Sequence, residues 1–207
     1  MSDTIAIDDS LNRPGLVALD ANLVRSQQTG QTGMVIFLGS WTMAFAALFF
    51  VHTMYRLRWP VWPPPGFERL PLEMPAFNTA LIIVSSVALH LGLRSLKHNQ
   101  LVRWRRYLLA TLAMGVAFLV LQFIVWFDIY ASGVHWSHGA YAAFFYFLTL
   151  FHAVHVLVGI GLLGWLVPQA TASRFTVVRA SRARLVAMFW HFVDVAWLIT
   201  FLLVYVL

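Results

Sequence analysis

The sequence predicts an all-α fold, a polytopic bundle of five transmembrane helices. Of its 207 residues, 60% are hydrophobic and only 11% charged, and the mean hydropathy is +0.75. A soluble domain needs far more charge to cover its surface. Several apolar runs also have the length needed to cross a hydrocarbon core of roughly 30 Å.

The first thirty or so residues, MSDTIAIDDSLNRPGLVALDANLVRSQQTG, lack the basic start and compact apolar centre of a secretory leader, and acids (Asp3, Asp8, Asp9) come first. Residues 1–32 are expected to be a polar cytoplasmic tail, with Gly15 to Val24 able to form a short amphipathic helix on the membrane surface. The first span is then expected from about Gly33 to Tyr55, the second from Pro75 to Leu93 and the third from Trp104 to Tyr130. The fourth runs from His138 to Val167 and the fifth from Leu185 to Leu207. At 1.5 Å per residue each is long enough to span, the third and fourth with length left over for tilt. The loop RWPVWPPPGFERLP cannot be helical, because its prolines remove backbone donors and clash with the preceding turn. Trp59 and Trp62 in it suit a headgroup layer.

Basic residues sort between the connections. The second-to-third carries Arg94, Lys97, Arg103, Arg105 and Arg106; the fourth-to-fifth carries Arg174, Arg179, Arg182 and Arg184; the third-to-fourth, YASGVHWSHG, carries none. The positive-inside rule puts the N-terminus in the cytoplasm and the C-terminus outside. Arg56, Arg58 and Arg69 oppose this weakly, since Glu68 and Glu73 share their loop. The net charge of +6 therefore reads as cytoplasmic arginine facing lipid headgroups, and not as a nucleic-acid surface. With no cysteine, disulfides, thiolate metal sites and a two-thiolate copper centre are excluded.

Ionisable groups inside the apolar spans are expensive to bury and so mark the candidate site. They are His52, His90, His152 and His155, and His191 with Asp194, while Asp128 falls near a helix end. His155 lies about 12 residues, roughly 18 Å, from the inner end of its helix, and Asp194 about 10 residues, roughly 15 Å, from Arg184. The i,i+3 spacing puts His152 with His155, and His191 with Asp194, on one face each. If those faces meet, Asp194 can accept hydrogen bonds from one or two imidazoles, and the four residues form a structural or lipid-associated cluster joining the last two helices. Two readings compete. Three histidines and a carboxylate suffice on counting for zinc or iron, although the Glu-x-x-His pattern of di-iron bundles is missing. His155 and His191 are also the pair that could ligate a haem from both sides. Gly159, Gly161 and Gly164 can serve close helix packing, and the aromatic run Phe144 to Phe151 is expected to face lipid and neighbouring helices.

From about Thr32 onward the chain resembles subunit III of the haem–copper respiratory oxidases, in the short five-helix form of bacteria. PAFNTALIIVSSVAL is similar to that family's Pro-x-x-Asn-Thr followed by Ser-Ser, with Asn78 at the asparagine. MGVAFLVLQ is similar to Gly-x-x-Phe-Leu-x-x-Gln, with Gln122 at the glutamine. FHAVHVLVG and WHFVDVAWL are similar to Phe-His-x-x-His-Val-x-x-Gly and Trp-His-Phe-x-Asp-x-x-Trp, the latter placing Trp190 and Trp197. The resemblance implies a subunit of the bacterial inner membrane without redox centres, catalytic residues or metal ligands of its own. It implies haem and copper in partner subunits I and II, phospholipid in a cleft between helices, and support of proton uptake during oxygen reduction. It also implies the orientation that the charges give. The chain departs from the family where Trp41 and Val125 stand at positions often acidic, so no role of those acids carries over. Within the family the alternative is the homologous accessory subunit of nitric oxide reductase. Outside it stands a membrane b-type haem electron carrier; a small transporter would show broken helices or half-repeats, and neither is visible.

Overall fold

The computed structural model describes residues 14–64, 71–137, 139–171 and 177–207. They form α1 (Pro14–Arg56), α2 (Glu73–Lys97), α3 (Leu101–Ala131), α4 (Ala140–Thr171) and α5 (Val177–Phe201), followed by one π-helical turn at Leu202–Val206. Among the described residues there is no strand, and all five helices are long and apolar enough to cross a membrane. The protein is a multi-pass membrane protein.

The spans differ from their expected bounds at the polar ends. α1 begins at Pro14, so the segment Gly15 to Val24 runs on into the first span and is not a separate surface helix. α2 continues past Leu93 to Lys97, with Arg94 and Lys97 in its last turn. α4 runs through Pro168 to Thr171 and α5 starts at Val177. Residues 1–13, the stretch 65–70, His138 and residues 172–176 lie outside the described residues.

α2 and α3 make the most extensive contact and form a hairpin. Asn99, at φ +58°, supplies the left-handed residue that ends α2, and the Gln100 amide returns to the Ser95 carbonyl at 3.0 Å; asparagine takes that conformation more readily than other side-chain-bearing residues. α3 packs on α4, α4 on α5 and α5 on α2, which closes a four-helix ring. Its centre is filled by Leu89, Leu108, Phe118, Leu148, Trp190 and Trp197, all fully buried.

α1 stands outside this ring and leans on α5. Among its described side chains only Phe45 and His52 are buried. Val35, Ile36, Met43 and Phe50 are exposed, an arrangement that water would penalise and hydrocarbon would not.

Candidate functional site: the intramembrane polar seam

Hydrogen bonding inside the ring is concentrated on α2. Its polar side chains Thr79, Ser85 and Ser86 all face α5. The Trp197 indole N–H donates to Thr79 Oγ1 at 2.9 Å, and the Trp190 indole N–H to Ser85 Oγ at 3.2 Å. One residue further along each helix, Ser86 Oγ and His191 Nδ1 are linked at 2.6 Å. In hydrocarbon no water can satisfy an indole N–H, so each rung fixes the register of α5 on α2 as well as binding it. Towards the α2 start, Asn78 Nδ2 donates to the Phe118 carbonyl at 3.2 Å and to Gln122 Oε1 at 3.4 Å, while Gln122 Nε2 donates to the Tyr205 hydroxyl at 3.4 Å. This joins α2, α3 and the π-helical turn. Trp126 of α3 donates to Thr149 of α4 at 3.0 Å.

Trp190 sits in a slot of two glycines. A Cβ on Gly115 of α3 would lie 2.6 Å from the indole, and one on Gly159 of α4 would lie 2.9 Å from it. Gly161 and Gly164 have open space where a Cβ would go. Of the three α4 glycines, Gly159 makes the close approach.

The four residues expected to form one cluster divide among three seams. His152 is fully buried, tilted on the Trp197 ring at 5.0 Å between centroids and edge-on to Phe118 at 5.9 Å. Neither of its ring nitrogens has a hydrogen-bond partner among the described residues. His155 donates from Nδ1 to the Phe151 carbonyl of its own helix at 2.7 Å and presents its ring to Trp41 of α1, 4.3 Å away and nearly perpendicular. His191 turns to Ser86 of α2. Asp194 is buried, with Oδ2 3.9 Å from His191 Nδ1, too far for a hydrogen bond. The Ser86 hydroxyl faces the carboxyl, but neither carboxylate oxygen completes a hydrogen bond among the described residues.

The expected imidazole-to-Asp194 hydrogen bonds are therefore not made. The reason is angular. Residues three apart on a helix are offset by about 60° around its axis, enough to send His152 into the ring and His155 towards α1. α4 and α5 are joined through these residues by ring packing, His152 on Trp197, and not by charge.

At the far end of α1, His52 is buried edge-on between Trp62 at 6.0 Å and Phe144 at 5.8 Å, and Arg56 lies over the Trp62 ring at 5.6 Å. Trp41, at the first departure from the acidic pattern, has become a wall of the His155 pocket. Val125, at the second, is a buried core residue.

Among the described residues no three His, Asp or Glu side chains converge to hold a metal ion. His155 and His191 face different helices, α1 and α2, and so do not oppose each other as axial haem ligands. Fold and seam together define a membrane-embedded helical subunit, with polar groups spent on joining helices and a large apolar surface left for lipid or neighbours.

The comparisons give that class a family. The sequence profile described as "Cytochrome c oxidase subunit III" matches residues 19–207. Similar proteins include cytochrome c oxidase subunit 3 of Synechocystis, 34% identical over 84% of this chain and 74% of its own length. The protein described as "Probable cytochrome c oxidase subunit 3" of Nocardia farcinica is 32% identical over 95% of this chain and 90% of its own, and cytochrome c oxidase subunit 3 of Thermostichus vulcanus is 32% identical over 84% and 86%. The chain belongs to the cytochrome c oxidase subunit III family.

Sequence reasoning had singled out Asn78, Gln122, Trp190 and Trp197 and missed what they bind. Thr79, Ser85 and Ser86 stand in the Asn-Thr and Ser-Ser of the α2 motif without a role assigned to them, and Tyr205 lies outside every motif. The available signal was stoichiometric: each buried indole N–H and amide needs an acceptor, and the hydroxyls of α2 lie at matching depths.

Proposed function

We propose that this chain is the non-catalytic subunit III of a haem–copper terminal oxidase that reduces oxygen with electrons from cytochrome c, the donor in its relatives' names. It packs against the large catalytic subunit I, with subunit II in the same complex, and supports proton uptake during sustained turnover. The observation that carries this reading is the use of the family-motif residues. Asn78, Gln122, Trp190 and Trp197 all serve contacts between helices, which suits a subunit whose work is to hold a shape beside a catalytic neighbour. On the same reading His152, His155, His191 and Asp194 are structural or lipid-associated. The N-terminus lies in the cytoplasm and the C-terminus outside, as the Arg and Lys distribution supports, and phospholipid covers the exposed apolar faces.

Mass spectrometry of the chains that co-purify with this one from its native membrane in mild detergent tests the assignment. Subunits I and II are the expected companions. Recovery of a nitric oxide reductase, or of this chain alone with a haem absorbance band, would refute it. Removal of the chain from the purified oxidase should leave the haem spectra intact while activity decays faster over successive turnovers. Orientation is separable, because the native chain has no cysteine to give background labelling. Gln100→Cys should react with an impermeant maleimide only from the cytoplasmic side, and Trp136→Cys only from outside.

A further inference from the structure

Where α2 ends and α5 begins, a cavity of about 650 Å³ is lined by His90, Arg94, Lys97, His98 and Arg184 over an apolar wall that includes Leu96. Among the described residues no acidic side chain lines it. A second cavity, of about 450 Å³, shares Arg94 and His98 and adds Arg103. Not every nearby arginine is free to act there. Arg103 donates to Gln100 at 3.0 Å and Arg182 lies over the Trp165 ring at 5.5 Å. Arg94, Lys97 and Arg184 make no side-chain hydrogen bond or ion pair among the described residues, where the only ionic contact is that of His191 with Asp194. Cations brought together without a counter-charge repel each other, so a pocket lined by them fits an anion.

Position selects the kind of anion. Lys97 ends α2, and Ala180 and Arg184 on the same cavity wall lie in α5 before its apolar run from Leu185, so the cavity sits at the level where the spans leave hydrocarbon. Val87, one turn before His90 on the same face of α2, is exposed, which gives an acyl chain an apolar track leading away from the cations. Guanidinium forks match phosphate oxygens in geometry as well as charge, and basic pockets between transmembrane helices on the cytoplasmic side are suited to anionic headgroups.

We propose that this cavity binds the phosphate of an anionic phospholipid, with Arg94 and Arg184 gripping it from α2 and α5 and Lys97 and His98 at the rim. The site deepens the lipid association proposed above and rests on it. It gives α2 and α5 a lipid clamp at the basic end, beyond the last hydrogen-bonded rung at Ser86 and His191.

The test uses the whole oxidase complex, washed in phosphatidylcholine and detergent and then equilibrated with equal parts phosphatidylglycerol and phosphatidylcholine. Lipid retained after a second wash is read by mass spectrometry. Wild-type complex should retain phosphatidylglycerol in preference to phosphatidylcholine. Arg94→Gln with Arg184→Gln should weaken that retention roughly thirtyfold, at about 1 kcal/mol per basic side chain. The paired lysine variant, Arg94→Lys with Arg184→Lys, should restore most of it, and Arg182→Gln should have no effect. Unchanged retention in the double glutamine variant, or no preference in the wild type, would overturn the site. Displacement of the lipid by millimolar inorganic phosphate would overturn its assignment to lipid in favour of a soluble phosphate. A maleimide label reaching Gln100→Cys only from outside would overturn the orientation without altering retention. Failure of the chain to co-purify with oxidase subunits would instead sink the proposed function.

Discussion

Gly115→Ala should destabilise the bundle, although alanine is the better helix former. The new methyl group would lie 2.6 Å from Cη2 of Trp190 and 3.2 Å from Cζ2, about 1 Å short of ordinary carbon contact at the nearest atom. The indole cannot yield. It is fully buried, Gly159 closes its other side, and its N–H is held by Ser85. Overpacking of this kind costs about 1–3 kcal/mol, and the helix-propensity gain returns only about 0.5–1 kcal/mol. The net expectation is a loss of about 1 kcal/mol, and at most about 2.5 kcal/mol. Gly161→Ala is the matched control: nothing lies within 4 Å of its Cβ, so it should be neutral or stabilising by up to about 1 kcal/mol. The assay is an SDS titration of the chain in micelles, followed by circular dichroism. Trp190→Phe in the Gly115→Ala background should cost less than the sum of the single changes, because the smaller ring relieves the clash. If Gly115→Ala proves as stable as Gly161→Ala, the slot does not exist as described.

Three further outcomes follow from the seam. Thr79→Val removes the acceptor of the Trp197 N–H and should cost about 0.6–1.7 kcal/mol; a double-mutant cycle with Trp197→Phe should show coupling of that size, and additivity would refute the bond. His152→Leu should change stability by less than about 1 kcal/mol in the same SDS titration, because its two unpartnered nitrogens carry an unpaid desolvation cost that an apolar side chain removes. A loss above about 2 kcal/mol would mean that the imidazole has a polar partner. Asp194→Asn should leave the haem content of the assembled oxidase unchanged by absorbance and should not weaken the bundle, since it removes a carboxylate that completes no hydrogen bond. Haem loss from an intact assembly would overturn that expectation.

The five spans were legible because burial in lipid demands long apolar runs, a constraint that reads directly from sequence. Their polar ends were not, since the first turns of α1, with Asp20, Asn22 and Arg25, are helical without being hydrophobic. The depth of His152, His155 and Asp194 could be estimated by counting residues, but depth leaves open the direction around the helix axis. That direction is set by which neighbour offers space. For His155 it is the Trp41 side of α1, and for His152 the Trp197 ring. The family motifs named Asn78, Gln122, Trp190 and Trp197 and also contained Thr79 and Ser85, while which of them pair depended on the packing of helices distant in sequence.

That distance has a consequence for biosynthesis. The rungs between α2 and α5 join residues 105 and 118 positions apart, so none can form until the fifth helix has entered the membrane. Until then Thr79, Ser85 and Ser86 face lipid or a provisional neighbour, and the α2–α3 hairpin waits with an open flank. A chain stopped before α5 thus differs from a finished one along that flank: Thr79 and Ser85 donate only to carbonyls of their own helix, and Ser86 lacks its imidazole partner. A membrane protease or an assembly factor that samples exposed polar groups would need no other mark to tell the incomplete subunit from the complete one.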